Sequence, residues 1–155
     1  MKLHVQTTLP CSPEAAWQEV KKPSLLMHVA SPIVTFKPVS PPTLPAKWPA
    51  GQSVKLKTHL FGVIPMGVRT LFFEEISDRH MRLQTREHDP LIRKWDHLIE
   101  IGRGEGGETR YADLLDLDAG VLTLPVWLFA QFFYRHRQRR WRRLAKTLNS
   151  SQRLA

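Results

Sequence analysis

Residues able to move protons, pair with ions or attack a substrate are few in this chain. Its seven histidines are His4, His28, His59, His80, His88, His97 and His136, and none falls in an HxH or HxxxH pair or beside a cysteine. That spacing supplies no metal site. Cys11 is the sole cysteine and precedes a helix start, where a thiolate would be favoured, but no base stands near it in sequence. Gly102, Gly104, Gly106 and Gly107 link two strands and do not precede a helix, so they make no phosphate loop. His97 and Asp113 are the exception. They flank the RGEGG turn, Arg103 to Gly107. If Gly102 pairs with Glu108, His97 faces Asp113, Trp95 faces Leu115 and Ile99 faces Tyr111. The opposite row holds Arg110, Asp116 and Asp118, which belong in water, so His97 and Asp113 point inward together. A carboxylate that orients and charges an interior imidazole makes an acid–base pair. The same pair closed on itself is a buried structural hydrogen bond.

A third group is cationic. Arg137 and Arg140 lie within the apolar side of a long helical stretch, between Phe133 and Leu144. A guanidinium fixed there would grip a ligand carboxylate or phosphate at one end of a cavity. Alternatively its stem lies along a sheet and its head reaches a sheet carboxylate or solvent.

These residues need a scaffold, and the apolar pattern supplies one. Leu124 to Leu148 reads as one helix with Thr123 as cap and Pro125 in the first turn. At 100° per residue, Val126, Phe129, Ala130, Phe133, Trp141, Leu144 and Leu148 share one side. Trp127, Leu128 and Phe132 fill the other faces of its first half, so that half is expected to be largely covered. Strands at Lys2–Leu9, Ile33–Val39, Ser53–Leu60, Val68–Ser77, Met81–Glu87, Lys94–Gly102 and Glu108–Asp118 follow from alternation of apolar and polar residues. Ser12-Pro13-Glu14 opens a short helix, and Pro23 to His28 forms a second. Ser40 to Gly51 holds four of the twelve prolines and is a loop, and Gly62 to Gly67 connects strands. The expected architecture is α+β: a curved antiparallel sheet of seven strands around the last helix, as one domain over residues 1–155.

Composition narrows the function. The chain has 155 residues, 42% of them hydrophobic, enough to bury a core. The net charge is +9, and Arg135, Arg137, Arg139, Arg140, Arg142, Arg143 and Lys146 carry seven of those charges. Basicity therefore belongs to one helix end and is no whole-surface nucleic-acid footprint. The first residues lack a signal-peptide core, and the longest uncharged run, Ala119 to Tyr134, is too short to span a bilayer. A cytoplasmic protein without stable membrane insertion, specific nucleic-acid partner, metal or other cofactor is expected.

Three stretches in this order resemble the SRPBCC, or START-like, superfamily: SPEAAW followed by KKPSLLMHV, then WDHLIEIGRGEGGETRYADLLDLD, then LFAQFFYRHRQRRWRRL. The resemblance covers essentially the whole chain and implies a helix-grip fold, in which a curved sheet wraps a long C-terminal helix. It further implies a pocket for an apolar or aromatic small molecule. LDLDAGVLTLP replaces the proline-phenylalanine-glycine turn of many relatives after the last strand. The superfamily includes lipid carriers, hormone-binding proteins, cyclases and hydroxylase subunits. The candidate pocket residues are Leu56, Met81, Leu83, Trp95, His97, Tyr111, Asp113, Phe129, Phe133 and Arg137. Carriage or sensing of a hydrophobic molecule is the leading expectation. Alternatives are a cyclase/aromatase-like or hydrolase-like enzyme using His97 and Asp113, and a basic interaction module for nucleic acid or an anionic membrane through Arg135 to Lys146.

Overall fold

The computed structural model describes residues 1–154, with side chains through Ser150. The elements are β1 (Lys2–Leu9), α1 (Pro13–Val20), α2 (Pro23–Ala30), β2 (Val34–Ser40), β3 (Ser53–Leu60), β4 (Ile64–Ser77), β5 (Arg82–His88), β6 (Lys94–Arg103), β7 (Thr109–Asp118) and α3 (Thr123–Leu154). The seven strands form one antiparallel sheet in the order β1-β7-β6-β5-β4-β3-β2. The long crossover through α1 and α2 puts β1 and β2 at opposite edges, and every later connection is a hairpin. Register breaks between Pro38 and Ser40, Thr58 and His59, and Phe73 and Glu75 bend the long strands, so the sheet curves around α3.

Local signals account for the helices. The Ser12 hydroxyl accepts the Ala15 N–H at 3.2 Å, and Pro13 takes the first turn of α1, where an N–H would have no partner. Buried Ala16, Trp17 and Val20 then face the sheet. Trp17 donates its indole N–H to Asp78 at 2.6 Å, which ties α1 to the β4–β5 turn. α3 runs on past Leu148 because Asn149 to Gln152 contains no glycine or proline to stop it. Its buried stripe is Ala130, Phe133, Tyr134, Arg137, Gln138, Trp141 and Ala145, flanked by half-buried Val126, Phe129, Leu144 and Leu148.

Four expectations are corrected. Thr123 does not act as a simple cap. Its hydroxyl donates to the Gly120 carbonyl at 2.7 Å and accepts the Ala119 N–H at 2.9 Å, which locks the turn before α3. Residues Ile64 to Gly67 belong to β4, so the β3–β4 connection shrinks to Phe61–Val63, with Phe61 and Gly62 at φ 51° and 75°. The β6–β7 hairpin pairs Gly102 with Arg110, because the turn Glu105–Gly107 takes extra residues, with Gly106 and Gly107 at positive φ. His97 consequently lies opposite Leu115, Trp95 opposite Leu117 and Ile99 opposite Asp113. A shift of two preserves which face each side chain points to. Lastly, the first half of α3 is not covered all round. Leu124, Leu128 and Phe132 are 55%, 56% and 57% exposed, since the sheet embraces the opposite side.

The core has two apolar parts. One gathers Leu9, Trp17, Val20, Trp48, Leu56, Phe73 and Trp141; the other gathers Leu3, Val34, Ile92, Trp95, Leu117, Ala130 and Phe133. Trp48 stacks on Phe73 at 4.6 Å within the first. A set of buried polar groups contributes to the space between them: Thr85, Glu87, His97, Asp113, Arg137 and Gln138.

Candidate functional site

Neighbouring strands β6 and β7 carry His97 and Asp113 at inward positions, and α3 closes over them. The imidazole Nε2 of His97 lies 2.8 Å from Oδ1 of Asp113, and the two residues are 4% and 1% exposed. Tyr111 donates its hydroxyl to the same oxygen at 3.2 Å, and Gln138 donates to Oδ2 at 2.9 Å and to the Val5 carbonyl at 2.8 Å. An isolated carboxylate is very unfavourable at such a position; three converging donors offset that cost. Burial works to raise the Asp113 carboxyl, but the His97 hydrogen bond, the His97 and Arg137 charges and Gln138 outweigh it and hold the group below the usual carboxylate range. The Tyr111 hydroxyl is driven well up by burial and by the adjacent Asp113 charge, so it stays a neutral donor. The Nε2 proton of His97 is committed to Asp113, and Nδ1 makes no protein hydrogen bond among the described residues.

Arg137 crosses the same space. Its guanidinium carbon lies 4.5 Å from the centroid of the Tyr134 ring and 5.7 Å from that of Phe133. The residue is 9% exposed, and its buried Nε has no hydrogen-bond partner. Burial works against its charge, but Tyr134, Asp113, Tyr111 and Glu87 push its pKa above the usual arginine range. Tyr134 accepts the Trp95 indole N–H at 3.2 Å. Arg69 lies over the Trp95 ring at 4.9 Å and bonds Asp89 at 2.6 Å and Glu87 at 3.3 Å. Thr85 donates to the other Glu87 oxygen at 2.7 Å.

Two spaces adjoin this cluster. The inner one, about 70 Å3, is walled by the polar set, with Tyr111, Tyr134, Trp141 and Leu83 around it. An outer one, about 300 Å3, is bounded by Val34, Leu60, Met66, Ile92, Leu122, Val126 and Phe129. Phe36, Arg69, Trp95 and Phe133 line both. The outer space is lined mainly by apolar side chains, and the inner one is edged with hydrogen-bonding groups. Such a combination suits an apolar molecule with one polar end.

Most of the residues singled out from sequence meet here. Leu83, His97, Tyr111, Asp113 and Arg137 line the inner space, Phe129 the outer, and Trp95 and Phe133 both. Leu56 is fully buried in the core, and Met81 sits in the β4–β5 turn at φ 48°; neither lines either of these two spaces. Arg140 turns away and donates to the His28 carbonyl at 2.8 Å, joining α3 to the end of α2. Phe36, Arg69, Glu87, Tyr134 and Gln138 are wall residues that sequence reasoning missed. Tyr134 and Gln138 could have been found, since they stand at i+4 and i+8 from Ala130. Cys11 is buried, and burial pushes its thiol up, the reverse of an activated nucleophile. Among the described residues, no cluster of three or more His, Cys, Asp or Glu could hold a metal ion, and no helix is long and apolar enough to cross a membrane.

No protein-family model matches the sequence, and no curated protein matches it. Solved structures do. A protein from Nitrosomonas europaea superposes with a TM-score of 0.72 at 14% identity, covering 97% of each chain. A START superfamily protein from Mycobacterium smegmatis gives 0.70 at 12% identity, covering 95% of this chain and 98% of that one. The fold is START-like. Ara h 8.0201 extends the likeness, with a TM-score of 0.60 at 9% identity over 88% of this chain and 94% of its own. At such identities the START-like architecture is what is shared; site residues are not carried across.

Proposed function

We propose that this START-like domain, spanning residues 1–155, binds a hydrophobic or aromatic small molecule between the sheet and α3, as a carrier or sensor. The observation that carries this reading is the apolar space of about 300 Å3 beside Phe129, Phe133, Val126 and Leu60. Its volume lies at the lower end of the range for small-molecule sites, which begins at about 300 Å3. The START-like architecture of the neighbours is consistent with it. His97 and Asp113 are better suited to holding the cavity wall than to turnover, because the Asp113 oxygens are already occupied by His97, Tyr111 and Gln138.

Titration with N-phenyl-1-naphthylamine, a neutral dye that brightens in apolar surroundings, tests the reading. The wild-type protein is expected to bind it at micromolar concentration with one saturable site. Val126→Trp, which fills the outer space, is expected to weaken that binding by at least ~10-fold, equivalent to about 1.4 kcal/mol. No saturable signal from the folded wild-type protein would refute the proposal.

A second reading is favoured by the uncovered side of α3: this face rests on an anionic lipid surface. Leu124, Leu128 and Phe132 are exposed there, and Arg135, Arg139, Arg142 and Arg143 continue the same helix face. Exposed Phe61 and Val63 of the β3–β4 turn, Ile64 at the start of β4 and Val121 before α3 adjoin Leu60 and Leu122, which wall the outer cavity. Apolar side chains followed by cations suit peripheral contact with anionic lipid.

A further inference from the structure

Among the described residues, Arg137 Nε, Trp141 Nε1 and Arg82 Nε are buried without a hydrogen-bond partner, and of the three only Arg137 brings a charge to the inner space. It is 9% exposed, and among the described residues it forms neither a hydrogen bond nor an ion pair. Its guanidinium carbon lies over the rings of Tyr134 and Phe133, and its buried Nε has no protein hydrogen-bond partner. Arginine offers five donors in a planar fork, and a buried fork without acceptors is strongly disfavoured. Asp113 accepts from His97, Tyr111 and Gln138, and none of its hydrogen bonds comes from Arg137. Glu87 accepts from Thr85 and Arg69, and likewise not from Arg137. The fork borders the inner space of about 70 Å3, which has room for a small polar group.

Charge decides what that group is. Around the two adjoining spaces stand Arg69 and Arg137 against Glu87, Asp89 and Asp113, before any charge on His59 or His97 is counted. The walls already hold more carboxylates than guanidinium groups. A ligand carboxylate would add a further negative charge beside Asp113, in surroundings where desolvating it is unfavourable. An uncharged oxygen accepts from the fork without that penalty.

We propose that the bound molecule carries an uncharged oxygen acceptor, of the ketone or ester kind, which Arg137 engages in the inner space while its apolar remainder occupies the outer one. This rests on the cavity reading above. The polar end makes the site selective for neutral amphipathic molecules over fatty acids and over pure hydrocarbons.

Displacement of N-phenyl-1-naphthylamine, which has no oxygen, tests the two claims separately. 2-Undecanone should displace the dye from the wild-type protein at least ~10-fold more effectively than undecanoate at neutral pH, and Arg137→Met should weaken 2-undecanone by ~10-fold or more, each measured against that protein's own dye affinity, as loss of a charged hydrogen bond implies. Equal or better competition by undecanoate would overturn the neutral-head assignment. Undiminished 2-undecanone binding to a folded Arg137→Met variant would overturn the role of Arg137. The wild-type ketone-to-acid comparison decides the neutral-head claim even where that variant fails to fold, and Arg137→Lys, which keeps the charge without the fork, then tests the role of Arg137 by the same displacement. Absence of dye binding to the wild type removes the cavity reading and this inference together, whereas dye binding without ketone preference removes the inference alone.

Discussion

At the residue scale, Asp113 shows how one buried charge depends on its donors. Its carboxyl is held below the ordinary value of 3.8, so ionised Asp113 favours the folded state at neutral pH. For a depressed carboxyl, that stability is complete above the unfolded value and lost as pH falls through the folded one. Asp113→Asn should cost about 1–3 kcal/mol at pH 7, because the amide cannot accept from His97, Tyr111 and Gln138 alike. The gap between wild type and variant should narrow as pH drops below about 3.8, as read from urea midpoints at several pH values. A gap that stays constant with pH would mean that Asp113 is not charged in the native state. The pairing of His97 with Asp113 was legible in sequence even though the hairpin register was not. Strand parity survives a slip of two, and both side chains kept their inward face. The isolation of Arg137 was not legible, since it depends on where every neighbouring acceptor is spent.

At the element scale, caps and buried aromatics differ in what they contribute. Ser12→Ala removes the acceptor for the Ala15 N–H and should destabilise by about 1 kcal/mol. Trp141 is 1% exposed and edge-on to Tyr111 at 6.4 Å, so Trp141→Ala should cost about 3–5 kcal/mol. Leu128→Ala, one turn below exposed Phe132 on the uncovered face, should change stability by less than about 0.5 kcal/mol. Urea denaturation of the three variants checks that order, and a large loss at Leu128 would show that this face is covered. Element positions were readable because alternation and helical spacing are local. Boundaries failed at Ile64 and at the Glu105–Gly107 turn, where a bulge and positive-φ glycines set the pairing.

At the scale of the molecule, the asymmetry of α3 matters most. Its covered side grips the sheet, and its open side runs from apolar to cationic. Vesicles rich in phosphatidylserine should therefore bind the protein, and phosphatidylcholine vesicles should not. Arg139→Glu with Arg143→Glu should lower partitioning by at least ~30-fold, at about 1 kcal/mol for each cation near such a surface. Sedimentation with vesicles at two salt concentrations checks this. Binding that ignores both the charge reversal and the salt would sink the lipid-surface reading.

The order of strands and helices, the inward set of side chains and the location of the positive charge could all be read from the chain, because each follows from local periodicity and composition. Which side of α3 stays bare, whether Leu56 fills core or cavity, and which donors lack acceptors emerged only on folding. Those outcomes depend on how far the sheet curves and on competition among residues distant in sequence, and no local pattern encodes either.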